Sequence, residues 1–212
     1  MAAEPRLLLV RHGESEANVA GVLQGQSHGA LTTNGRKAAS QLAARLANLA
    51  ADERPTSVLS SDLHRAAETA RIIAGPLGLT PEPTSIAREW NVGVLDGSPA
   101  SVLHEAVLAS SLPYWDFLPS GGESLRAVRD RASTLAEMIQ GELRDPALAP
   151  KRLRTALVTH GDFIRMMLSM TEELPIEDAV KLVLRNTSIT ELALVDRSWR
   201  IVRIDDADHV EE

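Results

Sequence analysis

The chain contains no cysteine. Disulfides, thiol nucleophiles and thiolate metal sites are therefore excluded, and the composition suits a reducing compartment. Aromatic residues are few: three Trp, two Phe and one Tyr. Tyr114, Trp115 and Phe117 stand within four consecutive positions. No block of Lys and Arg interrupts a net charge of −7, so a nucleic-acid surface, which needs a basic stripe, is not expected. No apolar run approaches a membrane span, and the run near the N-terminus is too short for a signal peptide. The expectation is a soluble cytoplasmic protein without nucleic-acid or membrane partners. An anionic ligand would be drawn by a few local cations against the overall field.

What is present suits a folded enzyme-sized core. Apolar residues make up 44% of 212, and no repeat or low-complexity linker divides them, so residues 1–212 are expected to form one domain. Residues 7–10 read as a short buried strand. Residues 34–50 carry Ala38, Leu42, Leu46 and Leu49 at helical spacing, and Arg54-Pro55 ends the pattern. Residues 56–61 read as a second strand and 63–74 as a second helix, stopped by Gly75-Pro76. A short strand is placed near 83–86, a helix over 100–110 and a long helix over 124–143. Residues 155–159 form a third strand pattern. A helix follows over 163–170, with Asp162 placed at its N-cap.

Residues 189–195 and 199–204 read as a closing β-pair whose edge could pair between subunits of a homodimer. The tail 205–212 is polar and reads as frayed. Alternating strands and helices imply a three-layer α/β/α fold around a mostly parallel sheet, with 97–122 as a lid-like excursion.

Three of these strands end in residues able to carry chemistry. Arg11-His12-Gly13-Glu14 follows the first, Ser61-Asp62-Leu63-His64-Arg65 the second, and Thr159-His160-Gly161-Asp162 the third. Strand C-terminal ends are where α/β folds bind ligands. Arg65 near a helix start is unfavourable beside the positive dipole end unless both share an anion; as a plain surface residue it would pair with Asp62 or Glu68. If the strands are neighbours, two histidines and two arginines converge. Such a cluster calls for an anion, and phosphate suits forked guanidinium groups. Glu89, in REWNVGVLDG, is on the residues alone either an acid for a leaving oxygen or a partner of Arg88.

Five blocks carry a resemblance: LLLVRHGESEAN, SSDLHRAAETA, REWNVGVLDG, GGESL and LVTHGDFIR. In order and spacing, over residues 7–194, the chain resembles the histidine phosphatase superfamily. The likeness is to the branch of cofactor-dependent phosphoglycerate mutases and their phosphatase relatives. The resemblance implies that His12 is the nucleophile, that Arg11, Asn18, Arg65 and His160 bind the phosphoryl oxygens, and that Glu89 is the acid and then the base. It also implies that neither metal nor other cofactor takes part.

His12 must be neutral to attack, and Arg11 and Arg65 should lower its pKa. His160 is expected to be protonated. Glu89 must hold a proton, helped by an apolar neighbour such as Trp90, so activity is expected to weaken well above neutral pH.

Departures from the family pattern bear on the substrate. The mutases' longer insertion after the acid and their Arg-Arg-Ser-Tyr block are absent, and Trp90-Asn91 replaces their His-Tyr. Hydrolysis of a small phosphorylated substrate is expected; mutase-type transfer and a non-catalytic phosphate-binding relative are the alternatives. Arg88 is the only Lys or Arg within 86–124, which argues for a monophosphate ester unless Arg126 or Arg129 contributes. Gln24, Tyr114, Trp115 and Asp162 are candidate substrate or lid residues, although the aromatic trio could equally be core. Asp162, standing where relatives have a second Gly, is read as an N-cap, or as a group that disfavours highly anionic substrates or binds a positively charged part. Asp96 and Asp162 are possible assistants to Glu89.

Overall fold

A computed structural model describes residues 4–210. The strands are β1 (Arg6–Arg11), β2 (Ser57–Ser61), β3 (Glu82–Thr84), β4 (Arg154–Thr159), β5 (Ile189–Val195) and β6 (Ser198–Asp206). They form one sheet in the order β3-β2-β4-β1-β5-β6. The first four in that order run parallel, and β5 and β6 add an antiparallel pair.

The helices are α1 (Glu16–Ala20), α2 (Thr33–Ala47), α3 (His64–Ala74), α4 (Ala100–Ser110), α5 (Leu125–Arg144), α6 (Ala149–Arg152), α7 (Gly161–Leu168) and α8 (Ile176–Ala179). Along β1, Leu7 and Leu9 join the core under α5 and α7, while Leu8 and Val10 join the core under α2 and α3. That alternation is the two-residue period of a strand buried on both faces. The expected three-layer α/β/α arrangement is present. Among the described residues no helix is long and apolar enough to cross a membrane.

Several boundaries differ from the sequence reading. Helix α2 begins at Thr33, because the Thr32 hydroxyl accepts from Gly35 N at 2.9 Å. β3 covers 82–84 and gives way to a single tight turn over Ser85–Ala87. Asp162 is not an N-cap: His160 holds that place with extended backbone, and Asp162 lies in the first turn of α7. The tail is not frayed over its described part, since β6 continues to Asp206 and both Ala207 and His209 are buried. Residues 211–212 lie outside the described residues.

The order β2-β4-β1 decides where the site lies. Arg11 is register partner of Thr159, and Ser60 of Val158. The residues following three parallel strands therefore emerge side by side at one end of the sheet.

Candidate active site

His12 leaves β1 with its backbone N–H bonded to Thr159 O at 2.9 Å. Its Nδ1 lies 2.7 Å from Gly13 O. A carbonyl can only accept, so Nδ1 carries the proton and Nε2 keeps its lone pair. Burial pushes the His12 pKa well below its ordinary value, and the charges of Arg65 and Arg11 add to this. The imidazole is neutral, with a bare Nε2. The loop behind it packs tightly on the start of α2: a Cβ at Gly13 would sit 2.7 Å from Gly35 O, and one at Gly35 only 2.2 Å from Glu14 O. Glycine at both positions permits this approach.

Arg65 is buried beside His12, and its Nε–H donates to His12 Nε2 at 3.3 Å. Its other nitrogens donate to Ser27 O at 3.2 Å, Gln24 O at 3.3 Å and Gly25 O at 2.8 Å. It is no surface partner of Asp62 or Glu68, which pair with Arg88 and Arg36, each at 2.6 Å. Asp96, considered as an assistant to Glu89, is bonded to the backbone and side chain of residues 25–27. Its carboxylate holds the loop that carries Arg65's acceptors, accepting from Ser27 N at 3.0 Å and Ser27 Oγ at 2.8 Å.

His160 is fully buried at the head of α7, its ring centre 5.1 Å from that of His12. Its Nε2 lies 2.8 Å from Ser61 Oγ, while its Nδ1 is buried with no partner among the described residues. Burial first, then Arg65, His12 and Arg11, push its pKa well below the ordinary value. The expectation of a protonated His160 is thus reversed for the free protein, because burial disfavours its charged form and the neighbouring cations add to this. Arg11 donates from Nη1 to Leu184 O, and its Nε is also buried without a partner.

Glu89 accepts at Oε1 from Trp90 N at 2.9 Å and Asp162 N at 3.1 Å. Burial, followed by the charge of Asp162, raises its pKa to about 7. It does not pair with Arg88, which is committed to Asp62. Glu89, Arg11 and Arg165 ring the start of α7. A Cβ at Gly161 would lie 3.5 Å from Arg165 Nη1, 3.7 Å from Arg11 Nε and 3.9 Å from Glu89 Oε2.

Arg11, His12 and Glu89 open onto a pocket of about 400 Å³, to which Asn18, Gln24, Tyr114 and Asp162 also contribute, whereas Arg65 and His160 are buried outside its lining. Tyr114 stands edge-on to Trp90 with centroids 5.7 Å apart. Trp115 is not part of the lining; it packs against the core, and Phe117 is buried. Arg126 and Arg129 are engaged elsewhere, by Asp116 and Ser169. Arg165, which the sequence reading missed, supplies the additional pocket cation and pairs with Asp162 at 2.7 Å. Its position three residues after Asp162 on a helix was the available signal. His104 also lines the pocket. Asn186 was missed as well: its Nδ2 donates to His12 O at 2.9 Å and Asn18 Oδ1 at 3.2 Å. Among the described residues, no group of three or more His, Asp or Glu side chains is arranged to hold a metal ion.

The arrangement offers a neutral nucleophilic nitrogen, buried donors for an anion and a carboxyl group able to exchange a proton near neutrality. Comparison with known proteins places it. The chain is 35% identical over 212 residues to a metal-independent phosphoserine phosphatase of Arabidopsis thaliana, covering 96% of this chain and 82% of that one. It is 33% identical over 198 residues to a Proteus mirabilis protein named "Probable phosphoglycerate mutase GpmB", covering 92% and 87%. The structure of a mycobacterial glucosyl-3-phosphoglycerate phosphatase complexed with VO3 superposes with a TM-score of 0.79 at 29% identity, over 95% of this chain and 99% of that one. The family model of the histidine phosphatase superfamily, branch 1, matches residues 7–207, and the chain belongs to that superfamily.

Proposed function

We propose that this protein is a phosphatase that hydrolyses a small phosphate monoester through a phosphohistidine at His12, without a metal ion. The observation that carries the reading is the unprotonated Nε2 of His12, facing the Nε–H of buried Arg65 at 3.3 Å, with Arg11 Nε buried and without a partner among the described residues and the His160 ring centre 5.1 Å from that of His12. A tetrahedral dianion suits these donors.

In the first step His12 Nε2 forms a bond to phosphorus as the ester P–O bond breaks. Glu89 gives its proton to the departing alcohol oxygen. Arg65 shifts its Nε–H from His12 to a phosphoryl oxygen, and Arg11, Asn18 and His160 hold the others. Burial first, and then the arginine field, disfavour a charged His160 in the free protein; the bound dianion offsets the arginine field and so favours a charged His160 in the complex. In the second step the Glu89 carboxylate takes a proton from water, the water oxygen bonds to phosphorus, and the P–N bond breaks to return neutral His12.

The leaving-group side favours a small alcohol bearing one phosphoryl group. Arg165 is already neutralised by Asp162, so no spare cation faces a second phosphate. This also weighs against mutase chemistry, in which a doubly phosphorylated intermediate must be retained. Val22, Leu23 and Leu103 supply apolar walls, and Tyr114 and His104 supply polar ones. Tyr114, carried by the 97–122 excursion, gives that segment the role of a lid.

The test is phosphate release from a panel of monoesters between pH 5 and 8, with EDTA, for wild type and His12→Ala. Turnover that survives EDTA and disappears in the variant supports the reading. Transfer to a hydroxyl acceptor with no hydrolysis would replace it with a mutase, and no turnover with intact phosphate binding would replace it with a binding protein.

A further inference from the structure

We propose that the C-terminal segment 205–210 is a latch that positions the nucleophile, acting through residues 185–187, with His209 and Asp205 as its positioning residues. The proposal rests on His12 being the nucleophile of the reading above.

The residues just before β5 touch much of the phosphate site. Arg11 N donates to Ser188 O at 3.2 Å, and Arg11 Nη1 to Leu184 O. Thr187 N donates to Arg11 O at 2.9 Å and, more weakly, to His12 O at 3.4 Å. Asn186 Nδ2 reaches His12 O and Asn18 Oδ1. This short stretch therefore sets the strand end from which both Arg11 and His12 project.

That stretch is a turn closed by one backbone bond of its own, Ser188 N to Arg185 O at 3.2 Å, and it carries a strained residue. Thr187 has φ +60°, the left-handed region, which a β-branched residue adopts only when its surroundings impose it. The C-terminal segment braces the turn from outside. The buried Thr187 hydroxyl donates to Asn186 O at 2.7 Å and lies 3.0 Å from His209 Nε2, so it accepts from His209 Nε2–H. Two residues earlier, Arg185 N and Nε donate to the Asp205 carboxylate at 2.6 and 2.8 Å, and Arg185 Nη2 to Asp205 O at 2.6 Å. The neighbouring Asp206 is anchored to α2 by Arg45, with two bonds at 2.7 and 2.6 Å. Without His209 the strain at Thr187 is opposed only by the turn's own bond and the bonds of the Thr187 N–H, and Thr187 shifts toward negative φ. Its N–H then turns from Arg11 O and His12 O, and His12 loses its fixed aim.

The test measures kcat and KM on p-nitrophenyl phosphate, together with amide exchange at Thr187, for wild type, His209→Ala, His209→Gln, Thr187→Gly and the Thr187→Gly/His209→Ala double variant. His209→Ala is expected to lower kcat about tenfold, the size of effect that a small loss of aim gives, with KM within about twofold of wild type. Thr187 amide exchange is expected to rise about tenfold while β4 amides stay protected. His209→Gln can still donate to Thr187 and is expected to recover activity. The double variant is expected to outperform His209→Ala, because glycine adopts the left-handed backbone without a latch. General destabilisation would instead make the double variant slower. His209→Ala with wild-type kcat and wild-type exchange, or a double variant no faster than His209→Ala, overturns the proposal. If wild type shows no turnover, the phosphatase reading fails while exchange at Thr187 still decides whether the latch exists.

Discussion

Replacing Glu89 by Gln separates its two proposed duties. The amide keeps an acceptor for Trp90 N and Asp162 N but loses both the proton and the charge. Proton transfer by a positioned side chain contributes about 10²–10⁴-fold, so hydrolysis of an alkyl phosphate should fall by that factor. p-Nitrophenolate leaves without protonation, so His12 should still be phosphorylated and the second step should stall. Stopped-flow absorbance should show a burst of about one equivalent of nitrophenolate, then a steady rate about 10²–10⁴-fold slower than wild type.

Stability should move in the opposite direction. The Glu89 carboxyl is raised from 4.5 to about 7 on folding, so between those values the folded state holds a proton that the unfolded state releases. Stability is lost as pH rises through this window and is unaffected below it. At pH 8 the cost is at most about 3 kcal/mol, which corresponds to about 5–10 °C in Tm for a chain of this size. Glu89→Gln should raise Tm at pH 8 and leave it unchanged at pH 4. Steady turnover with no burst, or an equal Tm gain at both pH values, would refute this account of Glu89.

Three further outcomes follow from the same geometry. Asp162→Asn removes a charge that raises the Glu89 pKa; the basic limb of kcat/KM, expected near pH 7, should shift to lower pH, and an unmoved limb would remove Asp162 from that role. Arg45 holds the Asp206 carboxyl down at about 2, below its ordinary 3.8, so the pair stabilises the fold above about pH 4 and loses that contribution as pH falls through about 2. Arg45→Met should cost about 1 kcal/mol at pH 7, and the difference from wild type in urea unfolding should narrow toward pH 2. Gly35→Ala places a methyl 2.2 Å from Glu14 O and should destabilise by about 1–3 kcal/mol; an unchanged denaturation midpoint would show that the loop can move aside.

The strands were legible because β1 and β4 each hold a continuous apolar stretch, Leu7–Val10 and Ala156–Val158, and the site was legible because its histidines directly follow strands and Arg65 stands in the first turn of the helix after one. What local sequence does not encode is depth. His160 was expected to be charged, yet it sits at the centre of the sheet's end among arginines, where burial decides the matter. Tyr114 and Trp115 are adjacent, but only one reaches the pocket. The tail looked frayed because the one local cationic partner of its acidic residues, Arg203 beside Asp206 at 2.8 Å, does not tie it to the rest of the fold. Their other partners are remote: Arg45 lies 161 positions before Asp206, and Arg185 lies 20 before Asp205. The N-cap of α7 fell to His160 because its extended backbone turns into the helix two residues before the side chain that looked suited to capping.

The most direct test of the central claim is to quench the enzyme with labelled phosphate monoester within milliseconds and locate the label by mass spectrometry under alkaline conditions, where phosphohistidine survives. The account predicts label on His12, approaching one equivalent in Glu89→Gln with p-nitrophenyl phosphate and absent in His12→Ala. Label on another residue, or active turnover with no covalent label in either protein, would contradict it.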